Sequence, residues 1–130
     1  MKFQSFFSTL AVTSLALCLH LNAHAAPAVS LDEVRTALET KSTVVVDIRE
    51  PGEQTAGVAK GALLIPMGQL EKQLPELLKS KNQPVILICQ TQNRSSRVAD
   101  QLAAAGYTQV SFVKGGMTQW AQQGWPMAKP

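Results

Sequence analysis

The chain has 130 residues, 45% hydrophobic and 16% charged, with 12 basic against 9 acidic side chains. That suits one globular domain with a modest core. A formal net charge of +3 is too mild to argue for nucleic acid or a membrane surface as partner.

Residues 1–25 are expected to be a cleavable signal peptide rather than part of the domain. Lys2 gives a positive start, an apolar run follows from about Phe6 to Leu21, and "AHA" (23–25) offers small residues at the two positions a signal peptidase reads. The run is short and broken by polar residues, which disfavours a membrane anchor. Leu17 before Cys18 disfavours a lipoprotein. The expected location is therefore periplasmic, with no membrane association after cleavage, and residues 26–130 form the single domain. Cleavage removes Cys18, His20 and His24 and lowers the net charge to +2. The mature chain then holds no histidine and one thiol, Cys89, which cannot close a disulfide within the chain.

"SLDE" (30–33) is a capping box, with Leu31, Val34 and Leu38 on one face of a helix to about Thr40. "TVVVDI" (43–48) is continuously apolar until Asp47, as in a strand covered on both faces. A glycine-rich loop is expected over 49–61 and a short strand over 62–65. Two helical pieces follow, separated at Pro75, which starts the second but does not continue the first. "PVILIC" (84–89) is a second fully apolar strand. "RSSRVADQLAAAG" puts Val98, Leu102 and Ala105 on one helical stripe ending at Gly106. A strand at 109–113, a "KGG" turn and a helix from Met117 to about Gln123 complete the pattern. Alternating helices and buried strands predict an α/β fold, an open parallel sheet with helices on both faces. In such sheets ligands bind outside the carboxyl ends of the strands, where Cys89 stands.

"CQTQNRS" (89–95) thus joins a strand to a helix. Such a loop leaves backbone N–H groups without secondary-structure partners, and these can converge on an anion together with the helix N-terminus. Arg94 adds a permanent charge and a fork of donors. These groups favour the thiolate of Cys89 without a histidine. Four residues separate Cys89 from Arg94. Cysteine phosphatases need one more to ring a phosphate, and no histidine or leaving-group acid is in view. A terminal sulfur atom suits the tighter loop better.

"VVVDIREPGE", "GALLIP", "ILICQTQNRSSRVADQLAAAGY" and "VKGGMTQW" stand in the order seen in rhodanese-like sulfurtransferase domains. The resemblance covers about residues 28–126 and is greatest to periplasmic single-domain rhodaneses. It implies a five-stranded α/β domain in which Cys89, as nucleophile, becomes a persulfide and passes the sulfur on. Gln90, Thr91, Gln92, Asn93, Arg94 and Ser95 are the expected substrate-binding residues. Asp47 and Arg49 match an early "D-I-R" signature, and Gly115 and Gly116 a late glycine pair. Two departures stand out. Gln92 replaces a common loop glycine, and Gly57, Val58 and Ala59 replace "G-H-I".

The implied reaction is double displacement, from a small anionic donor such as thiosulfate to a thiophilic acceptor such as cyanide or a thiol. It needs no cofactor and no metal, and the chain lacks the usual zinc or copper ligands. The alternative is a persulfide carrier or docking module in a protein-to-protein sulfur relay. Asp47 either caps its strand end or orients the loop. Arg49 is expected to pair locally with Glu50 or Glu53. Arg97 either broadens the positive field or sits on a solvated helix face. Trp120 and Trp125 are expected to pack in or beside the core.

Overall fold

Residues 25–130 are described by the computed structural model, so the expected signal peptide lies outside the described residues except for Ala25. The capping box forms as its spacing requires. The Glu33 N–H donates to Ser30 Oγ (3.2 Å) and the Ser30 N–H to Glu33 Oε2 (2.7 Å). This starts α1, Leu31–Thr40, directly after β1, Ala28–Val29. The two continuous apolar runs become β2 (Val44–Asp47) and β5 (Val85–Ile88). With β4 (Leu63–Leu64) and β6 (Val110–Val113) they form one parallel sheet in the order β1-β6-β5-β2-β4. β5 is the middle strand, and all four of its residues are buried. That is why its sequence shows no alternation.

Helices cover both faces, and the pleat decides which strand residues meet which helices. α3 (Met67–Leu77) and α4 (Asn93–Ala104) bring Leu70, Leu74, Val98 and Leu102 against Val46, Ile48, Val85 and Leu87. α1 and α5 (Gly116–Gln122) bring Val34, Ala37, Met117 and Trp120 against Val45, Ile86 and Ile88. Cys89 continues the Val85–Leu87 alternation and joins the α3/α4 side, one residue past the end of β5.

The structure corrects the sequence reading in three places. The expected loop at 49–61 contains α2 (Pro51–Gln54) and β3 (Val58–Ala59), and β3 pairs antiparallel with β7 (Met127–Ala128). Helix α3 runs through Pro75 unbroken. Leu70, Leu74 and the C-cap residue Leu78, at 2%, 0% and 6% exposure, hold that face on the core, and the helix ends at Leu77, two residues after Pro75. Burial of three leucines outweighs one missing backbone bond. Ala105 is exposed, because α4 ends at Ala104 and Gly106 leaves it at φ +98°.

Candidate active site

Cys89–Gln92 link β5 to α4, and the turn is built from the far side by α5. The Met117 N–H donates to the Cys89 carbonyl and the Thr118 N–H to the Gln90 carbonyl, both at 2.9 Å. Gly116, at φ +58°, sits so close that a Cβ there would lie 2.4–2.7 Å from the carbonyl oxygens of Thr91, Cys89 and Gln90. Only glycine fits both the angle and the space. In a trans peptide the N–H points opposite to the C=O. With these carbonyls turned toward α5, the N–H groups of Gln90, Thr91 and Gln92 face away from it. Among the described residues, the backbone N–H groups of Gln90 through Arg94 have no protein acceptor.

The sulfur lies beneath the first turn of α4. Cys89 is 1% exposed and Ser95 is fully buried. The Ser95 N–H donates to Sγ at 3.4 Å, and Sγ lies 3.3 Å from Ser95 Oγ. Ser95 Oγ in turn donates to the Gln92 carbonyl at 3.1 Å. One amide, that of Ser95, donates to the thiol at the start of α4, and the five amides before it in the turn have no protein acceptor; a helix N-terminus of this kind stabilises negative charge.

Side chains lock this loop to its neighbours. Gln92 Oε1 accepts from the Gly115 N–H at 3.0 Å, a tie that glycine at this position would not make. Gln90 bridges two elements: its Oε1 accepts from Arg49 Nη1 (3.1 Å) and its Nε2 donates to Thr118 Oγ1 (3.0 Å). Thr91 and Asn93 are exposed and serve the loop through their backbone.

Both arginines differ from expectation. Arg49 pairs with Asp47, not with the carboxylates of Glu50 or Glu53: Nη2–Oδ2 is 2.7 Å and Nε–Oδ1 is 3.0 Å. Residues two apart on extended backbone share a face, and a buried carboxylate needs a partner. Asp47 also caps the strand end by accepting from the Arg49 N–H at 3.0 Å. Arg49 reaches on to the carbonyls of Gly57 (2.9 Å) and Glu53 (3.3 Å). Asp47 thus both caps its strand and, through Arg49 and Gln90, orients the loop.

Arg94 is not a free charge beside the thiol. Its Nη1 and Nη2 donate to Glu53 Oε2 and Oε1 at 2.8 and 2.5 Å. The Arg94 hydrogen bonds pull the Glu53 carboxyl down to about 2, and Glu53 raises Arg94 further above its ordinary range. Arg97 is exposed and its Nε donates to the Asn93 carbonyl (3.3 Å), which places it on the solvated face. Trp120 is buried and meets half-buried Trp125 edge-on, 4.9 Å between centroids, as core-edge packing. Among the described residues no His, Cys, Asp or Glu cluster could hold a metal ion.

Glu53, Gly116 and Thr118 were the participants whose roles were missed in the sequence. The one available signal for Glu53 was a loop arginine that needed a counter-charge.

Residues 30–123 match the family described as Rhodanese-like domain. A sulfurtransferase of Allochromatium vinosum is 32% identical over 92 residues, covering 71% of this chain and 84% of that protein. The human thiosulfate:glutathione sulfurtransferase is 28% identical over 110 residues, covering 75% of this chain and 96% of the relative. The solved structure of a human single-domain sulfurtransferase superposes with a TM-score of 0.65 at 26% identity, covering 75% of this chain and 97% of that one. In three other curated relatives the matches span only 59%, 48% and 53% of their length. The five-strand parallel sheet flanked by helices agrees with the fold of those matches. The chain belongs to the rhodanese-like domain family.

Proposed function

We propose that the protein is a sulfurtransferase working through a Cys89 persulfide. The Cys89 thiolate attacks the outer sulfur of thiosulfate, the S–S bond breaks, and sulfite leaves with the bonding pair. The persulfide anion is then held by the amides of Gln90 through Arg94 and by the Ser95 N–H. Cyanide or a thiol attacks the terminal sulfur and returns Cys89 as thiolate. No proton relay is required, which suits a site with no histidine. The observation that carries this reading is a buried sulfur that accepts from the Ser95 N–H at the start of α4, at the end of a turn whose amides have no protein acceptor. The name of the human relative supports thiosulfate as donor and a thiol as acceptor.

Steady-state transfer from thiosulfate to cyanide by residues 26–130 tests it. We expect turnover in wild type and none in Cys89→Ser. Full activity in Cys89→Ser sinks the mechanism. Gain of one sulfur atom by intact mass without turnover favours the relay reading, in which a partner protein supplies or takes the sulfur. We further propose export to the periplasm with cleavage after Ala25. N-terminal sequencing of the protein from a periplasmic fraction should begin at Ala26, and a cytoplasmic protein that keeps Met1 overturns this.

A further inference from the structure

We propose that Glu53 sets the charge preference of the Cys89 site, favouring monoanionic sulfur donors over dianionic ones. The inference rests on the sulfur-transfer reading above and concerns which donors that site takes. The arginine nearest the loop gives two of its N–H groups to Glu53, at 2.8 and 2.5 Å. Their side chains are 27% and 34% exposed, so the pair sits at the rim rather than in the core. Arg94 stands in the first turn of α4, one residue before Ser95, whose N–H donates to Cys89 Sγ. Glu53 is also held in place by its own helix, since its Oε2 accepts from the Glu50 N–H at 3.0 Å. A donor approaching the sulfur therefore meets an arginine already paired with a carboxylate. Its charge is left to amide dipoles, which hold one localised negative charge well and a second one poorly.

Glu53 is a positioning residue here, acting through Arg94. The matched probes are thiosulfate and methanethiosulfonate. Both present a terminal sulfur on a sulfonyl group, and they differ by one charge. With either, the Cys89 thiolate forms the new S–S bond while the old one breaks. The leaving group is sulfite in one case and methanesulfinate in the other, with no net oxidation.

Glu53→Gln keeps the shape and an acceptor for the Glu50 N–H while freeing the Arg94 charge. Coulomb energy scales with donor charge, so KM should fall roughly tenfold for thiosulfate and about threefold for methanethiosulfonate, with kcat within about twofold. The same substitution in an Arg94→Gln background should leave both KM values unchanged, because the effect passes through Arg94. An equal change for both donors, no change, or a fall in kcat with a lowered melting temperature overturns the proposal. If neither donor loads wild-type Cys89 by intact mass, the sulfur-transfer reading fails first and this inference with it.

Discussion

Two arginine–carboxylate pairs flank the thiol loop, and they differ in depth. Asp47–Arg49 is 0% and 2% exposed, whereas Glu53–Arg94 is 34% and 27% exposed. The deep pair spends all its donors on architecture: the strand end, the Gly57 and Glu53 carbonyls and Gln90. The rim pair joins α2 to the first turn of α4 and leaves both charges within reach of water. Solvent exposure therefore predicts that loss of the first pair unfolds the site and loss of the second retunes it. The same chemistry does both jobs at different dielectric.

The sharpest way to break the comparison is Asp47→Ala. It leaves the Arg49 guanidinium buried and unpaired, which costs about 3–5 kcal/mol. Urea unfolding should show that loss, and the same measurement on Glu53→Ala should show less than about 1 kcal/mol. Comparable losses would erase the distinction. Gly116→Ala comes next. A Cβ 2.4–2.7 Å from three loop carbonyls must push the turn away from α5. Displacing a reacting group by about 1 Å lowers kcat by about a hundredfold, readable in the thiosulfate assay. Gln92→Ala should cost about 0.5–1.5 kcal/mol, since the Gly115 N–H loses its acceptor.

What the sequence disclosed follows the same division between near and far. The capping box, the two buried strands and the placement of Cys89 at a strand end all depend on residues within one element. Strands β3 and β7, two residues each, exist only because chain segments far apart meet, so neither has a local signature. Pro75 was misread because the burial of Leu70 and Leu74 that holds α3 together is tertiary. Arg94 was legible as a loop arginine, but its partner lies 41 residues away. Asp47–Arg49 was local, two residues apart, yet Glu50 and Glu53 looked equally available. Only burial distinguishes the carboxylate that must be neutralised from those that water can solvate.

The smallest effect, and the finest test of the rim pair, lies in acid. The Glu53 carboxyl is held below the 4.5 of the free group by the hydrogen bonds from Arg94. A carboxylate lowered on folding contributes stability that is complete above its unfolded value and disappears as pH falls through the folded one. The difference in unfolding free energy between wild type and Glu53→Gln should therefore be constant from pH 8 to 5. It should then shrink as pH falls below 4.5 and through the lowered value of the folded carboxyl. Its plateau should be about 0.2–1 kcal/mol, because the pair is water-exposed, and should fall further in 1 M salt. A plateau of several kcal/mol that ignores salt would place Glu53–Arg94 with the buried pair. In that case Arg94 would be part of the frame and no longer an adjustable charge beside the thiol.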